Sequence, residues 1–484
     1  MVLKRAGNHL LTVYVDHCNL NRLPGLWELV DRIKEFHFCT TNFQLAPFLS
    51  SLGPAPNLRV LSLRPESLVG IGGLASINRL YTIFSGHLPL LRNLTLTNIL
   101  DWPVGIFRGL ASFECGAFGR SLISPTHVLD VLRESPSIKY LRLVGYCTLS
   151  QGPHPPAVTL PSLEECALIG RGTTSLIRLL TIPASARVFL SEPHTDVGGD
   201  ILPKFNHLSV ASGLRILGEV SKVSFSVNDH AVQLQASNAH GGVLDAEVDE
   251  LYGLSRDPVT FSQFVRSSFE CGRTCPGFKT TKVFALDVGR DVMWEPGEAS
   301  CFALDIMGFI FNLPSIEEVK LLGVPSLEFS SILEFLSSAA KSELPCPNLR
   351  RIQIESIPLR SPRSLLVELS RLLAERKEAG VPLQSVTVKV KCEALIQAPE
   401  HLTFLTSWRE LVREVVRVEY ERTELKKLPR CRRRKRYDEE DWDSEDEDEE
   451  GESYYEEDEG DTSDPDDGSV GWDGWPKEWP ETVE

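Results

Sequence analysis

Two places in the chain carry residue types at spacings that chemistry could use. Gly70-Ile71-Gly72-Gly73-Leu74-Ala75 fits G-x-G-x-x-A, the turn whose glycines let the backbone approach a pyrophosphate at a helix N-terminus. The strand-like run before it ends at Leu63, Arg64-Pro65 intervenes, and no ribose-binding acid follows at the required distance, so the stretch reads as a glycine-rich connecting loop. Cys271-Gly272-Arg273-Thr274-Cys275 could supply two thiolates to zinc, but a structural site needs four ligands and no second Cys/His pair lies nearby. The 11 histidines are spread singly, without H-E-x-x-H, and neither G-x-S-x-G nor a P-loop occurs, so the expectation is no enzyme and no cofactor or metal.

Charge supplies the other functional clue. Residues 438–484 hold 24 Asp/Glu against one Lys, whereas Lys426 to Arg436 holds eight Lys/Arg, which leaves residues 1–425 at a net charge of about -2 out of -17. The acidic segment has no apolar period and is expected to be disordered. Arg432, Arg433, Arg434, Lys435 and Arg436 suit a nuclear import signal, or simple neutralisation of the neighbouring acids; 23 net negative charges beside them disfavour nucleic acid. Ser444, Ser453 and Ser463 each precede an acid by three residues, as acidophilic kinases accept, and acids are abundant enough there to produce this by chance. Trp472, Trp475 and Trp479 have the spacing of a groove-docking helix, which Gly474, Pro476 and Pro480 oppose.

The elements that would position any site come from a recurring apolar spacing, L-x-x-L-x-L, often with a proline shortly before it. Clear copies run over Ile33–Phe38, Leu58–Leu63, Leu91–Leu96, Ile138–Leu143, Leu163–Leu168, Ile316–Leu321, Leu349–Ile354 and Leu383–Val388. Looser ones are Leu110–Cys115, Val220–Phe225 and Val283–Leu286, and Leu10–Val15 reads as an opening strand. In each copy the first apolar residue packs under a turn and the last two, spaced by two on a strand, face one side of a sheet. One copy cannot bury that face, but stacked copies can. Helical patterns fill the intervals: 26–33, Phe43 to Leu52, Thr126 to Glu134 with a cap at Thr126, Thr173 to Leu180, Ser326 to Ala340, and Ser361 to Ala379 with Pro362 at its first position and Gly380 as its stop. A last helix, 401–422, carries Leu402, Leu405, Trp408, Leu411, Val412, Val415 and Val416 on one side and is expected to cap the array. Residues 193–280 are rich in Gly, Ser and Asn with few clean copies, and a reshuffled segment is allowed there.

The expected fold is therefore α/β, an irregular leucine-rich-repeat-like solenoid with parallel strands over residues 1–425 that includes the capping helix 401–422, then a basic linker, 426–437, and the acidic tail, 438–484. Copies recur at irregular intervals, in places longer than the roughly 20 to 29 residues of ordinary leucine-rich repeats. Cys39, Cys115 and Cys166 fall at apolar positions and are expected to behave as small buried hydrophobes, without disulfides. No membrane span or secretory leader is evident, so nucleus or cytoplasm is expected. On the concave side of such an array, the outward positions Ser62, Arg64, Thr95, Thr97, Arg142, Lys320, Gln353, Glu355, Thr387 and Lys389 are the candidate contacts for a protein partner.

Leu3-Lys4-Arg5-Ala6-Gly7-Asn8-His9-Leu10-Leu11-Thr12-Val13-Tyr14-Val15, Arg32-Ile33-Lys34-Glu35-Phe36 and the P-x-L-x-x-L-x-L copies together resemble the leucine-rich region of the F-box proteins expanded in mushroom-forming fungi, over roughly residues 1–425. The resemblance implies a non-catalytic substrate receptor of an SCF-type ubiquitin ligase. Leu23-Pro24-Gly25-Leu26-Trp27-Glu28-Leu29 is only loosely similar to an F-box opening and no F-box stands in the chain, so Skp1 and cullin are expected as partners only if one lies upstream. The rival expectation is a nuclear scaffold that binds basic proteins through the acidic tail.

Overall fold

A computed structural model describes residues 9–16, 24–40, 45–65, 78–80, 83–103, 105–117, 122–147, 155–170, 172–193, 214–228, 231–249, 276–289, 298–324, 326–337, 345–355, 363–392 and 398–422. The chain divides into two units, Met1–Leu425 and Lys426–Glu484. The glycine loop 70–75, the Cys271/Cys275 pair, Pro362, Arg432–Arg436 and the acidic tail lie outside the described residues.

Within the first unit the described residues form a mixed α/β structure around one large, mostly parallel sheet of 16 strands. In chain order these are β1 (Leu11–Asp16), β2 (Ile33–Thr40), β3 (Val60–Pro65), β4 (Asn93–Thr97), β5 (Ser112–Gly116), β6 (Tyr140–Val144), β7 (Glu165–Ile169), β8 (Arg187–Pro193), β9 (Val220–Val227), β10 (Val232–Asn238), β11 (Val243–Asp249), β12 (Val283–Val288), β13 (Glu318–Leu322), β14 (Arg351–Glu355), β15 (Ser385–Cys392) and β16 (Val415–Arg422). Every clear and looser copy of the apolar spacing supplies one of these strands. The α-helices among the described residues are α1 (Leu45–Ser51), α2 (Pro125–Glu134), α3 (Glu298–Phe311), α4 (Ser326–Ser337), α5 (Arg363–Glu378) and α6 (Ala398–Leu411).

Strand entry is set by local turn chemistry. In Ala55-Pro56-Asn57-Leu58, Leu88-Pro89-Leu90-Leu91, Ser135-Pro136-Ser137-Ile138, Leu160-Pro161-Ser162-Leu163, Leu313-Pro314-Ser315-Ile316 and Cys346-Pro347-Asn348-Leu349, the fourth N–H donates to the first carbonyl at 3.0–3.3 Å. Proline at the second position fixes φ for such a turn, and the fourth residue, the first apolar position of the copy, is turned into the core. The next N–H then joins the neighbouring copy: Arg59 to Lys34 O (2.7 Å), Arg92 to Arg59 O (2.9 Å), Glu317 to Lys282 O (2.8 Å) and Arg350 to Glu317 O (2.8 Å). Each turn is thus both the start of a strand and a rung against the previous one.

Strand exits repeat a second device. Gly145 N–H donates to Ile169 O and Gly170 N–H to Ser191 O, both at 2.8 Å. Gly170 has φ +110°, and a Cβ on it would overlap the Gly145 carbonyl oxygen, so glycine is required there by conformation and by space.

Two core rows run across the sheet in register. Phe36, Leu61, Leu94, Phe113, Leu141, Cys166 and Val188 form one; Phe38, Leu63, Leu96, Cys115, Leu143, Leu168 and Leu190 form the other. The helices cover this face: Phe309 of α3 packs against Phe225 (5.3 Å between centroids) and Phe284 (5.7 Å). Arg376 of α5 is 0% exposed and spends its guanidinium on the turn before β14, donating to Pro345 O (3.3 Å), Cys346 O (3.1 Å) and Leu349 O (3.4 Å).

The reshuffled segment lies between β8 and β12. Spatial order there is β8-β11-β10-β9-β12, with β10 antiparallel to β9 and β11 while β8–β11 and β9–β12 are parallel. Sequence reading found β9 but missed β10 and β11, although Ala239-His240-Gly241-Gly242 between two alternating runs is a hairpin signal. Asn238 pins this hairpin: its Nδ2 donates to Ala184 O (2.8 Å) and Ile216 O (3.4 Å), and its Oδ1 accepts from His240 N (2.9 Å) and Gly242 N (3.0 Å).

Several expectations are corrected. The helix expected over 401–422 ends at Leu411, and Val415–Arg422 is a strand at the edge of the sheet, paired in parallel with β15. Trp408 is sealed into the core and donates to Ser370 Oγ (2.7 Å), after which Arg413 and Glu414 donate to Leu383 O and Gln384 O and turn the chain into the ladder. Residues 24–32 and 174–179 form 3-10 turns in place of the expected helices, the second leading into a short strand at Leu180–Thr181. Helix α2 starts at Pro125 with Ser124 in the cap position, so Thr126 lies inside the helix and is not its cap. Cys39 is not core: it pairs with Arg64 in register, on the opposite side of the sheet from Phe38, and is only half-buried.

Candidate functional site

Because side chains alternate along a strand, the core rows dictate a third row on the other face. The register joins Tyr14, His37, Ser62, Thr95, Glu114, Arg142, Ala167, Phe189, Asp245, Gln235, Ser224, Ala285, Lys320, Gln353, Thr387 and Arg417 into one continuous line across all 16 strands. Ser62, Thr95, Arg142, Lys320, Gln353 and Thr387 lie on it as expected from the sequence. Arg64, Thr97, Glu355 and Lys389 lie two residues further along their strands, on the same face. Ser62 is buried, at 8% exposed; the other nine are half-buried or exposed.

Three of the expected residues meet around one that sequence reading missed. Glu114 Oε1 lies 3.2 Å from Arg142 Nη1 and Oε2 3.7 Å from Arg64 Nη2, as ion pairs, and Oε2 accepts from Thr95 Oγ1 (3.4 Å). Glu114 sits between Phe113 and Cys115 as Thr95 sits between Leu94 and Leu96, so its place was legible once Leu110–Cys115 was read as a full copy. Burial lowers the pKa of Arg142, opposed by Glu114 and reinforced by Arg64. At the β1 end Tyr14, 73% exposed, stacks on His37 with centroids 4.6 Å apart and planes at 9°. Burial lowers the His37 pKa, Glu35 opposes that and Arg64 lowers it further.

Further along, Glu318 holds Lys320 Nζ and Arg351 Nη2, each at 3.1 Å. Gln353 stands between Lys320 and Thr387 in register, and Glu355 opposite Lys389. In the reshuffled segment Gln233 Nε2 donates to Asp245 Oδ1 (2.8 Å). Burial raises the Asp245 pKa against the lowering by Gln233 and Gln235; burial and the Glu355 charge raise that of Asp287. Sequence reading named neither acid, because their strands carry no clean copy of the spacing.

Among the described residues no group of three or more His, Cys, Asp or Glu is placed to hold a metal ion, and no helix is long and apolar enough to cross a membrane. The assembled face carries hydrogen bonds, ion pairs and half-buried apolar area in fixed register. No family model, curated protein or solved structure matches the chain.

Proposed function

We propose that this chain is a non-catalytic protein-recognition module, an irregular leucine-rich-repeat-like solenoid that receives a protein partner on the polar face of its sheet. The observation that carries the reading is the single register line from Tyr14 to Arg417, in which local ion pairs around Glu114 and Glu318 hold charged side chains in place before any partner arrives. Side chains ordered in advance lose less entropy on binding. The finer role, substrate receptor of an SCF-type ubiquitin ligase acting in the nucleus or cytoplasm, rests on the resemblance of residues 3–15, 32–36 and the repeated spacing to fungal F-box proteins. The test is comparative affinity purification of the intact chain and an Arg142→Gln/Lys320→Ala/Gln353→Ala/Thr387→Ala variant with unchanged circular dichroism. Partners lost only from the variant support the reading, and an identical partner set rejects it; Skp1 and cullin among the partners would support the ligase role.

A second reading is favoured by the charge run: a nuclear scaffold that binds basic proteins through residues 438–484, imported by Arg432–Arg436. Deleting 438–484 would then abolish capture of a basic protein such as lysozyme, and capture indifferent to salt would reject it.

A further inference from the structure

The middle of the polar face, where Arg142, Ala167, Phe189 and Asp245 are consecutive in register on β6, β7, β8 and β11, combines three chemistries in a short distance. Arg142, with its side chain 15% exposed, and the more open Arg64 share the Glu114 carboxylate. Ala167 and Phe189 continue the line, and Val144 and Ile169 flank them on the same face, making an apolar strip in which buried Ala167 and Val144 form the floor and half-buried Phe189 and Ile169 reach the surface. Beyond the strip is Asp245, half-buried and held by the amide of Gln233 at 2.8 Å. A basic end, an apolar centre and an acidic end therefore follow one another across the strands.

We propose that this strip receives an extended segment of the protein partner carrying an acidic and a basic residue four positions apart with an apolar residue midway, the acid at Arg142/Arg64 and the base at Asp245. The spacing follows from the sheet itself. Three inter-strand steps of about 4.8 Å separate β6 from β11, about 14 Å in all, and an extended chain covers about that distance in four residues at about 3.4 Å each. Positions i, i+2 and i+4 of an extended segment point to one side, so the middle residue falls between Ala167 and Phe189. Opposite charges at the two ends also fix which way the segment lies, since reversing it sets like charges together. Half-burial of both charges means each loses hydration that a complementary partner group restores, in keeping with the burial-driven shifts of Arg142 and Asp245.

This inference rests on the reading of the face as a protein-recognition surface, and the experiment separates the two. The intact chain is immobilised and panned with phage-displayed random dodecapeptides at low salt. Expected is enrichment of acid-x-apolar-x-base, in either chain direction, by at least about tenfold over the naive library, a difference readily visible as affinity. Asp245→Asn, which preserves side-chain size, removes the preference for the base and keeps that for the acid; Arg142→Gln does the reverse. Circular dichroism confirms that both variants fold. Enrichment of another pattern that Lys320→Ala or Thr387→Ala abolishes would overturn the inference and leave the recognition reading standing. The expected pattern persisting in both Asp245→Asn and Arg142→Gln also overturns it. No enrichment above the bare support overturns both.

Discussion

Asn238 gives the sharpest test of how the reversed segment is held. It is 7% exposed, and its amide makes four hydrogen bonds, three of them at 2.8–3.0 Å and one at 3.4 Å, to the hairpin β10–β11 and to the turns before β8 and β9. At about 1 kcal/mol net for each good bond, and little for the long one, Asn238→Ala should cost about 3 kcal/mol, with the Ala184 carbonyl and the Gly242 N–H left without that partner. Asn238→Asp keeps both acceptor contacts but loses both donors and places a carboxylate beside two carbonyls. Its folded pKa is raised, the folded state holds the extra proton, and the loss grows as pH rises and shrinks in acid. The assay is hydrogen exchange of residues 232–249 in the full chain, since repeated structures need not unfold in one step. A 3 kcal/mol loss raises exchange of those amides by on the order of a hundredfold. Less than about threefold faster exchange in Asn238→Ala would refute the idea that this side chain fixes the reversed segment.

Gly170→Ala should destabilise by about 2–3 kcal/mol in urea titration, because φ +110° and the Gly145 carbonyl both exclude a Cβ; Gly380→Ala, at φ +79° with open space around it, should cost only about 1 kcal/mol. Burial pushes the thiols of Cys115, Cys147, Cys166 and Cys346 up to about 12. At pH 8 their thiolate fraction is then roughly a thousandfold below that of an ordinary thiol, and peptide mapping after iodoacetamide should find them unmodified until the chain is denatured. Asp245 titrates above its ordinary 3.8, so the fold binds an extra proton in that window and loses stability as pH rises through it. Asp245→Asn should therefore be the more stable protein at pH 7, and equal stability of the two at pH 7 and pH 3 would contradict the burial argument.

The strands were legible because their signals are local. Proline one place into a four-residue turn, an apolar residue closing it and two more spaced by two decide where a strand starts and which face it buries, as at Cys346–Ile354, without reference to distant residues. The outward positions followed by alternation, which is how Arg64, Thr95 and Arg142 could be named before their common partner Glu114 was.

Tertiary structure decided what spacing cannot. Leu411, Val412, Val415 and Val416 satisfy a helical period as well as a turn followed by a strand; the Arg413 and Glu414 bonds to the neighbouring copy select the strand. Cys39 and Ser62 have the residue types of one role and the surroundings of another, because burial depends on what the neighbouring strand brings up beside them. Strand order is the clearest case. Nothing in Val220–Asp249 states that β11 returns to β8 while β9 faces β12, since pairing is chosen by contacts far apart in sequence, among them Asn238 with Ala184. That reversal carries Asp245 to within three strands of Arg142. The residues of this protein's face were written in its sequence, and their neighbours were set only when distant strands paired.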